Sequence, residues 1–360
     1  MMSRTAIVLF LVSLYLPIQY AAAEKLKVRA GSWMSDGNFF SEINSKLFTH
    51  LLYAEAYVNT SPFEVEIFPS DEPEFVTFSK KVKEKNPSVK TLLSIWGEAE
   101  YALMMRNPSS ISSFIRSAQN ISRRHGFDGV DLYWDYPKTK ADKEHMESLF
   151  QEWRKYIHAN DSELILTATV PYSPDWPHHD KHVSFYPIRS MARYLDWVHL
   201  VPFHYLFDQR INVSAAHSAF YDPTSYCSTA YGISNWIRGG LMPSKIVMGL
   251  PFSGYAWNLP DPKNNNLGVQ TGKVQIYRAL GMMTYKEIRG IIPLCGGKTR
   301  YSDTHKIYHF SCGSTWIGFD DVKTIKIKVS YAKEHKLLGY VAWRVSYDDN
   351  GLLSRAGRFS

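Results

Sequence analysis

The feature that most constrains the fold of this chain is an alternation. Eight short apolar runs of strand type recur along its 360 residues, with helix-type stretches between them. The runs cover residues 28–33, 49–57, 91–96, 129–135, 164–171, 197–204, 245–252 and 339–345. They are rich in β-branched and aromatic residues, and Pro, Gly and Asn mark their junctions. Residues 74–85, 110–125, 140–158 and 322–336 space their apolar positions three and four apart, which predicts helices. Strands alternating with helices form a parallel sheet, and eight such units close into a (β/α)8 barrel, so the expected class is α/β. The interval 258–315 is too long for a βα loop and has turns and strand-like pieces of its own. A small α+β insertion is therefore expected between the seventh and eighth strands.

The fourth run carries the chemistry. Residues 127–137 read Phe-Asp-Gly-Val-Asp-Leu-Tyr-Trp-Asp-Tyr-Pro, in which apolar and aromatic residues interleave with carboxylates until Pro137 stops the ladder. Side chains on a strand alternate faces, so Asp131, Tyr133 and Asp135 share one. Asp128 opens the pattern.

Here the chain resembles the family 18 glycoside hydrolases, chitinases above all, whose motif is Asp-Gly-x-Asp-x-Asp-x-Glu followed by Tyr-Pro. The similarity extends over nearly all of residues 24–360, through residues 47–51, 86–95, 195–198, 254–257, 316–321 and 337–340. It points to the plant class V chitinases and chitinase-related lectins. Two motif letters differ: Tyr133 stands at the middle Asp and Asp135 at the catalytic Glu.

The resemblance implies substrate-assisted cleavage, in which the N-acetyl oxygen of the sugar attacks while a Glu protonates the leaving oxygen. A neighbouring Asp balances the charge of the oxazolinium, and a Tyr on the sixth strand aligns the acetyl group. Asp135 is one methylene short at the acid position, and a misplacement of about 1 Å can cost on the order of 10²-fold. Tyr133 offers a phenol, uncharged at neutral pH, where an anion is needed. On the sixth strand Val201-Pro202-Phe203-His204 replaces Met-x-Tyr-Asp, so the aligning hydroxyl is gone. Trp96 takes the place of a small Gly, and Glu55 that of an aromatic residue. Trp343 matches the Trp on which the family stacks a sugar, and apolar sugar faces pack on such rings. Trp257 is a second candidate platform.

Each of these positions also has a structural reading. Tyr133 and Phe203 fill barrel layers, Asp131 is a hydrogen-bonded core carboxylate, and His204 is a satisfied interior group that Glu55 could pair with. No His or Cys set at metal spacing occurs, and no cofactor is called for.

The remaining features bound the setting. Arg4, the apolar residues 6–18 and Ala21-Ala22-Ala23 have the form of a cleavable signal peptide over residues 1–23. A secreted protein is expected, extracellular or vacuolar, with no membrane span. Asn59, Asn120, Asn160 and Asn212 open N-x-Ser/Thr sequons, which read as glycosylation acceptors. Of three cysteines, Cys295 and Cys312 lie in one short segment and are the expected disulfide, leaving Cys227 free and buried or paired with another chain. The net charge of +7 is scattered, a mildly basic surface rather than a nucleic-acid footprint.

The leading expectation is a chitinase-like protein with little or no hydrolysis that binds N-acetylglucosamine oligomers or related glycans. Two alternatives stay open: a weak or altered chitinase with Asp135 as acid, and a structural or inhibitory partner that leaves the cleft unused.

Overall fold

The computed structural model describes residues 26–35, 43–134, 137–160, 163–176, 184–203, 205, 212–272 and 281–360. The expected leader, Asp135 and His204 lie outside these residues. So does any pairing of His204 with Glu55.

The chain opens with β1 (Val28–Met34), β2 (His50–Val58) and the short β3 (Val65–Glu66), followed by β4 (Lys90–Gly97) and β5 (Gly129–Trp134). It continues through β6 (Ile165–Pro171), β7 (Trp197–Val201) and β8 (Ile246–Pro251). The strands β9 (Ser253–Asn258), β10 (Met282–Thr284), β11 (Arg300–Ser302), β12 (Ile307–Cys312) and β13 (Thr315–Phe319) form a second, antiparallel sheet. Then β14 (Gly339–Trp343) returns to the first sheet, in the order β1-β14-β8-β7-β6-β5-β4-β2, and β1 pairs β2 to close it. All eight pairings around this ring are parallel. The protein is a (β/α)8 barrel with an insertion between its seventh and eighth strands.

Around it run α1 (Glu72–Lys85), α2 (Ala99–Met104), α3 (Pro108–Arg124), α4 (Lys140–Ala159), α5 (Ile188–Tyr194), α6 (Thr229–Arg238), α7 (Tyr285–Leu294), α8 (Val322–Glu334) and α9 (Leu352–Arg358). Their boundaries follow local chemistry. Thr139 and Asp142 exchange side-chain-to-backbone bonds at the start of α4, a reciprocal cap that satisfies two otherwise unpaired donors. From there Met146, Leu149, Phe150, Trp153 and Ile157 form the buried stripe of the helix. The sixth expected run, which is β7, ends sooner than residue 204, at Val201, because Pro202 has no N–H to give a neighbouring strand. The insertion is wider than 258–315, since its sheet begins at Ser253 and ends at Phe319.

Two cores result. The outer faces of the strands pack under the helices around Trp33, Phe78, Phe114 and Trp153. Inside the barrel, Val28, Ala30, Leu52, Leu92, Trp197, Val247 and Val341 make a separate apolar layer. Packing there is tight enough to demand glycine at position 339, where an added Cβ would fall 1.7 Å from the Val28 carbonyl oxygen.

The insertion is anchored at its return. Lys328 of α8 reaches Asp320 Oδ2 at 2.7 Å and the Ser218 carbonyl at 2.9 Å, both partners being buried. Ser218 Oγ donates to the same carboxylate at 2.5 Å. Within the insertion Cys295 and Cys312 are joined, tying the end of α7 to β12. Cys227 is half-buried, with the Tyr172 hydroxyl 3.9 Å from its sulfur.

Three histidines, the buried His217 and His309 and the half-buried His50, make stability sensitive to acid. Burial pushes His217 down to about 3 and His50 and His309 down to about 4, from 6.5. Between those values and 6.5 the unfolded chain binds more protons, so their presence costs stability progressively as pH falls through that window. His217 Nε2 donates to the Ser253 carbonyl at 3.2 Å, a bond that the amide N–H of glutamine can replace. In urea titrations from about pH 7 to about pH 4.5, His217→Gln is expected to lose less stability than the native chain. An unchanged pH slope would remove His217 from the acid response.

Candidate functional site

The inward face of β5 organises the centre of the barrel. Asp131 has no exposed surface and accepts four hydrogen bonds. Ser94 Oγ of β4 donates to Oδ2 at 3.0 Å, and Thr169 Oγ1 of β6 donates to the same oxygen at 2.7 Å. Oδ1 takes Thr167 Oγ1 at 2.6 Å and His199 Nδ1 at 2.9 Å. Registers across the barrel bring these groups together, since Ser94 pairs with Asp131, Asp131 with Thr167, and Thr169 with His199.

The far side of His199 settles its tautomer. Trp197 Nε1–H donates to His199 Nε2 at 2.9 Å, and an indole nitrogen is a donor only. Nε2 therefore carries the lone pair, and Nδ1–H points at the carboxylate. Burial pushes the Asp131 carboxyl up, but the His199 imidazole and the Thr167 and Thr169 hydroxyls outweigh it and hold it below the usual range. An anion is thus stabilised within the barrel, with each oxygen already receiving two donors.

Asp128 serves elsewhere. It sits at the opposite end of β5, where Oδ2 accepts the Thr91 N–H at 2.8 Å and Lys83 lies 2.7 Å away. Lys90 reaches its other oxygen at 3.1 Å. Its role is to clamp β4 beside β5, and it takes no part in the cleft.

Two residues above Asp131, the half-buried Tyr133 enters the mouth of the barrel. Its ring stands edge-on to Trp343, the last residue of β14, with centroids 6.0 Å apart. Phe203, beyond the end of β7 and 3% exposed, lies 6.4 Å from the same indole. Trp343 itself shows 9% of its surface. Trp96 pairs in register with Tyr133 from β4 and is half-buried. Glu55, also half-buried, falls at a bulge where the register of β2 against β4 slips between Ala54 and Ala56. Residues from five strands, β2, β4, β5, β7 and β14, thus reach this end of the barrel.

Trp257 does not join them. It is 4% exposed and packs at 5.3 Å against Trp316 in the core of the insertion, with Ala215, Tyr255 and Leu259. The second platform expected from sequence is a packing residue. Of the sequon residues, Asn120, Asn160 and Asn212 are exposed and Asn59 is half-buried. Among the described residues no group of His, Cys, Asp and Glu could hold a metal ion, and no helix is long and apolar enough to cross a membrane.

Sequence reasoning missed the partners of Asp131. A signal was present, because Thr167 and Thr169 occupy alternate positions on one strand, and His199 stands two residues from Trp197 on the next. Asp131→Asn is expected to cost about 3 kcal/mol, because an amide nitrogen would face donors where an oxygen now accepts. Thr169→Val, which removes one donor, is expected to cost about 1–2 kcal/mol. Urea denaturation at neutral pH measures both.

Comparison with known proteins places this geometry. The model of glycosyl hydrolases family 18 matches residues 28–348. A class V chitinase of Arabidopsis thaliana is 36% identical over 368 aligned positions, covering 99% of this chain and 95% of the relative. Among solved structures, a mutant class V chitinase from Nicotiana tobaccum in complex with NAG4 superposes with a TM-score of 0.88 at 36% identity, covering 92% of this chain and 98% of that one. The chitinase-like agglutinin RobpsCRA from Robinia pseudoacacia gives 0.84 at 34% identity, with the same coverage.

Proposed function

Since the chain belongs to glycosyl hydrolase family 18, we propose that it is a chitinase-like protein that binds glycans in the barrel mouth and has little or no hydrolytic activity. The ligand class is the N-acetylglucosamine oligomer, or a related sugar chain. The observation that carries this reading is the contact of Tyr133 with Trp343 at 6.0 Å. Where the resembled enzymes have a carboxylate beside the reacting sugar, this chain has an uncharged ring leaning on the aromatic residue that matches their sugar platform. A phenol cannot balance the positive charge of an oxazolinium at neutral pH.

Two further facts support it. Asp131 is the nearest described carboxylate on the same strand face, and its oxygens are occupied by four internal donors. Phe203 replaces the aligning hydroxyl with hydrocarbon packed toward Trp343. The NAG4 complex of the tobacco relative and the agglutinin relative support sugar binding by this architecture. We also propose that residues 1–23 are a leader and that the exposed sequons at Asn120, Asn160 and Asn212 carry glycans.

The test pairs binding with turnover. Titration calorimetry with a chitin hexamer is expected to give a saturable heat that Trp343→Ala weakens by about tenfold or more. Prolonged incubation of the native protein, followed by mass spectrometry, is expected to yield no shorter products. The combined Tyr133→Asp, Asp135→Glu and Phe203→Tyr variant is expected to release them. Hydrolysis by the native protein that disappears in Asp135→Ala would instead establish a working enzyme with a short acid.

A further inference from the structure

At the end of the barrel where the strands begin, away from Trp343, a cavity of about 520 Å³ opens between α4, α5 and the segments leading into β7 and β8. Four of its lining side chains are cations: Arg154, Lys155, Arg193 and Lys245. Asp196 is the one carboxylate among the described residues lining it.

That carboxylate is already engaged, because its Oδ2 accepts the Leu166 N–H at 2.7 Å and Arg154 Nη2 at 3.1 Å. Two of the cations are held by consecutive carbonyls. Arg154 Nε donates to the Tyr194 oxygen at 2.7 Å, and Lys245 Nζ donates to the Leu195 oxygen at 2.5 Å. The Arg193 guanidinium lies 5.3 Å from the centre of the Tyr194 ring. Lys155 meets Glu152 at 2.8 Å, but both side chains are more than half exposed, so that pair exchanges readily for another anion. The result is an excess of positive charge in a concave site, with two cations pre-positioned before any ligand arrives. Burial lowers the pKa of Lys245, a strain that an incoming anion relieves.

We propose that this cavity is a second binding site, separate from the barrel mouth, which takes the carboxylate-bearing sugars of an acidic polysaccharide. Its volume is in the range of small-ligand sites, which run from about 300 to 1,000 Å³. The Arg193 guanidinium, lying over the Tyr194 ring, presents a planar fork that matches a carboxylate. Lys155 and Arg193, both exposed, are placed to meet the neighbouring charges that a polyuronate repeats along its length.

Calorimetry with a galacturonate hexamer and the full chain at low salt tests the assignment. Lys155→Glu combined with Arg193→Glu is expected to weaken binding by about tenfold or more. Lys80→Glu combined with Lys326→Glu makes the same change of net charge at exposed positions elsewhere, and is expected to leave affinity within about twofold. Binding of the chitin hexamer is expected to be the same in all three proteins. Equal losses in both double variants would reduce the effect to diffuse charge and overturn the site. Absence of uronate binding, or an equal affinity for inorganic sulfate or for duplex DNA of matched charge, would overturn the polysaccharide assignment.

Discussion

The carboxylate of Asp131 is the interaction on which the centre of this barrel depends. An isolated anion in an apolar interior is costly, and here the cost is offset by donors from three neighbouring strands, β4, β6 and β7. Each donor is itself inward-facing, so the carboxylate couples the registers of four adjacent strands through one point. Below it lies the apolar layer of Val28, Leu52, Leu92 and Val247, and above it lie the aromatic rings of the mouth. The polar layer is thus sealed on both sides, which is why all of its donors must find partners within the protein.

Under the proposed function, the protein keeps one part of the family's architecture and lacks another. In an enzyme of the family's type, a preorganised anion beside the reacting carbon stabilises the positive charge that develops there. The anion here is held rigidly, and the residue above it is Tyr133. The barrel, the closing strand β14 and Trp343 at its end are retained, and under the proposed function those parts position a sugar. Binding and catalysis draw on different groups of one scaffold, so one can persist when the other is lost.

The two ends of the barrel differ for a simple reason. At the end where the strands finish, the aromatic side chains of Tyr133, Phe203 and Trp343 pack together. At the end where they begin, short segments lead into β7 and β8 beside the termini of α4 and α5, and charged side chains gather in the gap between helices. Asp128, shared by Lys83 and Lys90, shows the structural use of such charges. Around Arg154 and Lys245 the cations outnumber the acids, and a carbonyl is what holds each of them in place.

Much of the fold was legible in the chain. Eight apolar runs with helix-spaced stretches between them leave few topologies open, because buried parallel strands need crossover helices and the crossovers have one hand. The motif at residues 127–137 located the strand that matters and the two altered letters within it. The sequence alone could not say which way each polar group faces, since that depends on register across strands far apart in the chain. Asp128 and Asp131 are three residues apart, yet one clamps a strand at the barrel's rim and the other sits in its centre. Trp257 and Trp343 look alike as platforms in a list of residues, and only packing against Trp316 shows that the first belongs to a core. The partners of Asp131 come from segments up to 68 positions away, and the basic cavity from three stretches brought together by closure of the barrel. Local patterning determines the elements, because it acts over a few residues. The neighbours of each side chain, and hence its chemistry, were decided by tertiary structure, because only closing the sheet sets those distances.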